Sequence, residues 1–210
     1  MKLFTAQLFV LASSLSSFAL NIRTGSIPQS LVDACPSAQV VSSSTITVGG
    51  QDVVSQVFSC PDGNLTVPAI SEANLIPSSN IAQRSAFEAR SAAECTTPAA
   101  ECQCGQAVTC GCFGDTVSQT ATDCTALIGS FPVISSLEGP TFIIQPGTVH
   151  TTSLRTCSVS FTNLGSTSEE YCWDDLATQA NNEMSCINEK DEATCVAETQ
   201  RFVIHMGVAV

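Results

Sequence analysis

Twelve cysteines constrain this chain more than any other feature of its sequence. Their number is even, and such a density of cysteine is typical of a disulfide framework in an exported protein. We therefore expect six disulfides and no free thiol, although spacing alone leaves on the order of 10,000 pairings open. The cysteines are Cys35, Cys60, Cys95, Cys102, Cys104, Cys110, Cys112, Cys124, Cys157, Cys172, Cys186 and Cys195.

Zinc binding is the alternative use of clustered cysteines. Cys102 and Cys104 are separated by one residue, as are Cys110 and Cys112. Zinc ligands more often follow a C-x₂₋₄-C pattern with a histidine nearby, and both histidines of this chain are distant in sequence. The pattern favours disulfides, so we expect no metal and no cofactor.

Residues 1–19 have the pattern of a secretory signal peptide. A basic start at Lys2 precedes an apolar run from Leu3 to Leu15, and the small residues Ser17 and Ala19 suit a cleavage site. A membrane anchor is the alternative, but a spanning helix needs about 20 apolar residues. We predict a secreted, extracellular protein with no membrane contact.

The charge of the chain excludes some partners. Seven basic residues stand against 19 acidic ones, giving a formal net charge of −12. Such a field repels phosphate backbones and anionic lipid surfaces, so nucleic acid and membranes are not expected partners. The oligomeric state is left open by the sequence.

Residues 20–62 are predicted to form a separate hairpin module. Gly49-Gly50 lies between β-branched runs and marks a tight turn, and a Cys35–Cys60 bridge would close the open end of the hairpin. Residues 63–94 resemble a linker, with a glycosylation sequon at Asn64 that predicts a glycoprotein. Whether residues 20–94 are removed by proteolysis is left open.

Residues 95–210 are predicted to form a cysteine-rich core domain of the α+β class. Its first segment, 95–115, is expected to be irregular. Beyond it, periodicity predicts a small disulfide-rich α/β sandwich of helix, strand, strand, helix and strand, in which Cys124 and Cys172 could pair with Cys157 or Cys195. The expected elements are a helix over 120–131 ended by Pro132, strands over 141–144 and 153–161, a helix over 166–187 that starts in a Ser166–Glu169 capping box, and a strand over 201–206.

No catalytic motif is present, which leaves only loose candidates for chemistry. His150 and His205 could serve a ribonuclease as acid and base, but such a role requires that they converge in space. The acid pairs Glu169-Glu170 and Asp174-Asp175 could suggest a glycosidase, yet neighbours on a helix do not face each other. A small secreted hydrolase is therefore the alternative function, and no catalytic residue is assigned.

One set of residues suits carbohydrate binding. Tyr171 and Trp173 are the only tyrosine and tryptophan in the chain, and they stand close to Asp174 and Asn181. An aromatic face beside acids and amides can hold a sugar ring. The alternative is that Trp173 belongs to the apolar face of its helix, which its spacing supports.

The cysteine frame resembles that of small secreted fungal proteins. That group includes α/β-sandwich relatives of killer toxins, necrosis-inducing effectors and a mushroom glycan-binding protein. The resemblance implies a secreted binding or effector-like protein that recognises a glycan or a host or cell-wall surface, and it assigns no ligand residue. It rests on Cys112-Phe113, Asp123-Cys124, Phe142-x-Ile144, Cys157, Phe161-x-Asn163, Tyr171-Cys172, Asp175, Cys186, Cys195-Val196-Ala197 and Gln200-Arg201-Phe202.

Complete oxidation of the cysteines is the first testable prediction. Thiol titration of the secreted protein after denaturation should detect no free cysteine, because an even number in an oxidising compartment pairs fully. Two reactive thiols per chain, or zinc found by metal analysis, would contradict it.

Overall fold

The computed structural model describes residues 35–61, 65, 75–76, 94–98, 100–113, 119–189 and 192–209. The predicted signal peptide, the Asn64 sequon and most of the predicted linker lie outside these residues.

Within the described residues the chain forms nine strands and two helices, with the strands in one large and one small antiparallel sheet. The large sheet has the order β1-β2-β5-β6-β9-β8-β3, and β4 pairs with β7 in a two-stranded ribbon. The elements are β1 (Gln39–Val48), β2 (Gln51–Ser59), β3 (Val108–Phe113), α1 (Ala121–Glu138), β4 (Thr141–Ile144), β5 (Thr148–Leu154), β6 (Cys157–Asn163), β7 (Glu169–Cys172), α2 (Trp173–Asn188), β8 (Glu192–Ala197) and β9 (Phe202–Val208).

The predicted hairpin forms, but it is not a separate module. Gly49 and Gly50 both have positive φ, at 59° and 81°, as a two-residue hairpin turn requires. The second strand, β2, also pairs with β5 along Val54–Ser59. Phe58 is fully buried beside its register partner Val149, and apolar burial therefore joins the hairpin to the main sheet.

Both helices pack on one face of the large sheet and against each other. Helix α1 lies over β5 and β6, while α2 lies over β3, β8 and β9. Alternate residues of β6 point towards them, and Cys157, Val159 and Phe161 are fully buried in the core. The intervening residues Ser158 and Ser160 face the opposite side of the sheet.

Helix α1 is longer than predicted. Thr120 caps its start by accepting a hydrogen bond from the Asp123 amide at 3.2 Å. Pro132 lies inside the helix rather than at its end, and the helix ends at Gly139, whose φ is 106°. Phe131 and Ile134, on either side of Pro132, are both buried, so core packing keeps the helix intact across the proline.

The predicted strand over 153–161 is two strands joined by a tight turn. Arg155 stands in the turn with a φ of 53°, and Leu154 pairs directly with Cys157. The Asp123 carboxylate secures this turn: it accepts hydrogen bonds from the Thr156 hydroxyl at 2.7 Å and from Arg155 at 3.4 Å. Strand β5 was not expected because most of its residues are polar.

Helix α2 begins at Trp173, and the predicted capping box does not form. Glu169 and Glu170 belong instead to strand β7, which pairs with β4. Strands β3 and β8 were not predicted. Strand β3 falls in the segment 95–115 that was expected to be irregular, and β8 falls between the predicted helix over 166–187 and the predicted strand over 201–206. They pair with each other at one edge of the sheet. The α+β class is confirmed, and the sheet is larger than predicted.

Six cysteine pairs lie at disulfide distance, and no cysteine is free. The pairs are Cys35–Cys60, Cys95–Cys102, Cys104–Cys172, Cys110–Cys195, Cys112–Cys186 and Cys124–Cys157. Cys124–Cys157 ties α1 to β6, and Cys112–Cys186 ties α2 to β3.

Removing the Cys35–Cys60 bridge should test how the hairpin is held. The bridge closes a separation of 25 residues. The double variant Cys35→Ala/Cys60→Ala should lose about 3 kcal/mol in free energy of unfolding, because the unfolded chain gains freedom. Hydrogen exchange should still find the β2 amides protected, since β5 also holds that strand. Loss of protection in β1 and β2 alone would restore the separate-module interpretation.

Candidate functional site

The four predicted ligand-binding residues do not form one surface. Tyr171 and Trp173 are 1% and 0% exposed, whereas Asp174 and Asn181 are exposed. An aromatic ring buried in the core cannot stack on a sugar. The prediction was therefore wrong for the two aromatic residues, and only Asp174 and Asn181 remain available to a ligand.

The buried aromatic residues form the centre of the core. The ring of Trp173 lies 4.4 Å from that of Phe142, and the ring of Tyr171 lies 4.6 Å from that of Phe161. Phe202 stacks on Phe161 at 4.9 Å. Aromatic contacts of this kind add to the stabilisation from area burial. The alternative interpretation of Trp173 as a core residue of its helix is thus confirmed.

His150 is one of two histidines considered as catalytic. It lies on the helix side of the sheet, because it is the register partner of Phe161. Its Nε2 is 2.7 Å from the Ser55 hydroxyl oxygen, and its ring contacts those of Phe142 and Trp173. Burial lowers the pKa of His150 to about 4, so the ring is neutral at physiological pH.

His205 lies on the opposite side of the sheet. Its register partners are Ser160 and Thr194, and its Nδ1 is 3.1 Å from the Thr194 hydroxyl oxygen. A Glu192 carboxylate oxygen lies 3.6 Å from Nε2. Burial lowers the pKa of His205 to about 4. The sheet separates His205 from His150, so the two rings cannot act on one substrate in this fold.

Glu170 is a buried carboxylate surrounded by donors. Thr96 and Thr97 each donate both a backbone amide and a hydroxyl hydrogen bond to it, at 2.6–3.1 Å. The Thr141 hydroxyl donates another at 2.6 Å. Burial raises the pKa of Glu170, but hydrogen bonds from Thr141, Thr97 and Thr96 outweigh it and leave the pKa at about 2. Glu170 therefore stays ionised. It anchors residues 94–113, which carry Cys95, Cys102, Cys104, Cys110 and Cys112 and are called the cysteine-rich segment below.

Glu169 points to the other side of strand β7. It accepts a hydrogen bond from the Arg201 Nε at 2.8 Å and is fully buried. Burial raises the pKa of Glu169, and the charge of Arg201 opposes this shift. Glu169 and Glu170 thus hold two different parts of the fold and do not form the acid pair of a glycosidase.

Sequence reasoning missed a buried acid on α2. Glu183 is 0% exposed, and none of the residues that the structure describes donates a hydrogen bond to its carboxylate oxygens. Burial raises its pKa well above the ordinary glutamate value. Asp175 is also buried and accepts a hydrogen bond from the Gly105 amide. Burial, with Asp175 and Glu183 nearby, raises the pKa of the Tyr171 hydroxyl. Spacing could have indicated Glu183, because it falls on the same helix face as Leu176, Ala180 and Ile187.

The two exposed candidate residues, Asp174 and Asn181, lie on the exposed face of α2. It carries hydroxyl, amide and carboxylate groups and no basic residue: Asp174, Thr178, Asn181, Asn182 and Ser185. The helix behind this face is fixed at both ends, by Cys172 at its N-cap and by Cys186 in its last turn. Such a face can donate and accept hydrogen bonds without rearranging.

No protein-family model matches the chain, and no curated protein matches it. In the part of the chain that the structure describes, no helix has the length and apolar character needed to cross a membrane.

Replacement of Glu183 should reveal its buried, uncharged state. Above pH 4.5, the ordinary value for glutamate, the unfolded chain loses the Glu183 proton while the folded protein keeps it. Folding stability therefore falls as pH rises. The free energy of unfolding of Glu183→Gln should equal that of the wild type near pH 4 and exceed it increasingly towards pH 7, by up to about 1.4 kcal/mol per pH unit.

Denaturant unfolding at several pH values measures this difference. The exposed residue Ser185 on α2 supplies the control Ser185→Ala, which changes no titratable group and should show the same pH dependence as the wild type. A pH-independent gap between Glu183→Gln and the wild type would mean that Glu183 ionises normally in the folded protein.

Proposed function

We propose that this chain is a secreted, disulfide-stabilised binding or effector-like module that recognises a neutral glycan or a host or cell-wall surface. The observation that carries the proposal is the exposed face of α2, a polar surface on a helix fixed at both ends by disulfides. A binding group held in place before contact loses little conformational entropy on binding. We also propose that the face binds through Asp174 and Asn181, which lie two turns apart on it.

We also propose that the protein is exported and that it is related to the α/β-sandwich group of killer toxins and effectors. Six disulfides suit an oxidising extracellular compartment, and the signal-peptide pattern of residues 1–19 suits export. Two helices packed on an antiparallel sheet, tied to it by disulfides, suit the α/β-sandwich group of killer toxins and effectors that the cysteine frame resembles.

The hydrolase alternative finds less support in the geometry. Its two histidines lie on opposite faces of the sheet, and Glu170 is enclosed by hydrogen-bond donors. A general acid or base must reach the substrate, and each of these groups is instead engaged with the protein's own side chains.

A glycan array with the mature protein tests the proposal. The wild type should bind defined neutral glycans, and Asp174→Ala/Asn181→Ala should lose at least about tenfold in affinity, as expected when two hydrogen-bonding groups are removed. A Glu138→Ala/Thr122→Ala variant removes an acid and a polar group from the exposed surface of α1 and should bind as the wild type does. Circular dichroism should show all three proteins folded.

Two outcomes would overturn the proposal. Equal binding by the wild type and the Asp174→Ala/Asn181→Ala variant would move the site away from α2. A blank array, together with hydrolysis of RNA or oligosaccharide that His150→Ala or His205→Ala abolishes, would make the protein a hydrolase. Trp173→Ala does not serve as a test of binding, because removing a buried Trp side chain costs about 3–5 kcal/mol and threatens the fold itself.

A further inference from the structure

Two of the disulfides touch each other. The Cys95 sulfur, bonded to Cys102, lies 3.4 Å from the Cys104 sulfur, which is bonded to Cys172. The sulfur atoms of Cys95, Cys104 and Cys172 all lie within 4.8 Å of one another, and in the described part of the chain no other three cysteines do so. Sulfur atoms at this separation are close enough for one to attack the other.

We propose that Cys95–Cys102 and Cys104–Cys172 form a thiol–disulfide exchange site that accepts electrons from an external dithiol. The site is distinct from the exposed face of α2 and does not depend on what that face binds. The cysteine-rich segment would then carry out disulfide exchange in addition to its structural role.

Backbone pairing with β7 holds the two disulfides next to each other. Cys102 forms a parallel bridge with Glu170, and the Gln103 amide donates to the Glu170 carbonyl oxygen at 2.8 Å. This pairing brings Cys104 opposite Cys172, two residues further along both segments. The Glu170 carboxylate, through Thr96 and Thr97, fixes the chain beside Cys95. The contact between the sulfur atoms is therefore built into the local fold.

Access to the site is graded from surface to core. Cys95 is partly exposed, whereas Cys102 and Cys104 are buried and Cys172 is 0% exposed. An external thiolate can therefore reach the Cys95 sulfur but not that of Cys172. Reduction of Cys172 must pass through Cys95.

The exchange proceeds in balanced steps. One thiolate of the dithiol attacks the Cys95 sulfur, the Cys95–Cys102 bond breaks, and its electron pair leaves on Cys102, which takes up a proton. The second thiolate closes the dithiol into a cyclic disulfide and releases Cys95 as a thiolate. Cys95 then attacks the Cys104 sulfur, and the electron pair leaves on Cys172. The dithiol is oxidised by two electrons, and the protein holds Cys95–Cys104 with thiols at Cys102 and Cys172.

The position of Cys172 favours its role as the leaving group. Cys172 is the N-cap of α2, and its side chain makes no capping hydrogen bond to the helix. The backbone amides at a helix N-terminus stabilise a thiolate, and a more stable thiolate leaves faster. Asp174 and Asp175 in the first turn oppose this effect, although Asp175 is already engaged by the Gly105 amide.

Limited reduction followed by disulfide mapping tests the proposal. The folded protein is treated with dithiothreitol sufficient for one disulfide, quenched with acid, alkylated with N-ethylmaleimide and cut with a protease specific for glutamate. Cleavage at glutamate places Cys95 on the peptide 95–101, Cys172 on the peptide 171–183, and Cys102 and Cys104 together with Cys110, Cys112 and Cys124 on the peptide 102–138. Fragment sequencing of the last peptide distinguishes Cys102 from Cys104. We expect alkylation at Cys102 and Cys172 but not at Cys104, with the Cys172 peptide free and the Cys95 peptide linked through Cys104. Cys172 should be alkylated at least about tenfold more than Cys157.

The Cys95→Ser/Cys102→Ser variant supplies the control. It removes a disulfide that spans only seven residues, so the fold should survive, and it removes the attacking sulfur. Alkylation of Cys172 should then fall to the level of Cys157, which is fully buried. A free, alkylated Cys95 peptide with Cys172 still linked to Cys104 in the wild type, or unchanged alkylation of Cys172 in the variant, would overturn the proposal.

Discussion

The carboxylate of Glu170 attaches the segment before β3, which has little regular structure among the described residues, to strand β7. Five donors from Thr96, Thr97 and Thr141 converge on it, and two of these threonines are more than 70 positions away in sequence. Charge-assisted hydrogen bonds of this kind are strong where water is excluded. Without them, the segment before β3 would be attached to β7 only by the Cys104–Cys172 disulfide and by the backbone pairing of residues 101–103 with Glu170.

The same carboxylate sets the geometry on which the cysteine-rich segment depends. By fixing the chain beside Cys95 and pairing the backbone near Cys102 with β7, Glu170 places two disulfides in contact at the start of α2. Cys112–Cys186 then fixes the other end of that helix. The polar face of α2 owes its rigidity to attachments at both ends rather than to its own helical propensity.

Local pattern was enough to predict several features of this fold. The Gly49-Gly50 turn, the strand over 141–144 and the helical conformation of residues 121–131 were predicted correctly, because turn chemistry and side-chain periodicity are encoded within a few residues. Pro132 misled the prediction for the end of α1, because burial of Ile134 beyond it outweighs the ordinary cost of a proline. Candidate site residues were less predictable: Asp174 and Asn181 lie on the surface as expected, but Tyr171 and Trp173 do not.

The sequence by itself determined the number of cysteines, the absence of known catalytic motifs, the α+β class and the acidic charge. Beyond the Cys35–Cys60 bridge, which the sequence analysis predicted, only the tertiary structure decided which cysteines pair. It alone also decided that Glu169 and Glu170 belong to a strand, and that His150 and His205 lie on opposite faces of one sheet. A capping box such as Ser166 with Glu169 indicates that an isolated segment can start a helix, and it contains no information about distant partners. In the folded chain Arg201 donates to Glu169, while Thr96, Thr97 and Thr141 donate to Glu170. Only the tertiary fold brings residues so distant in sequence together.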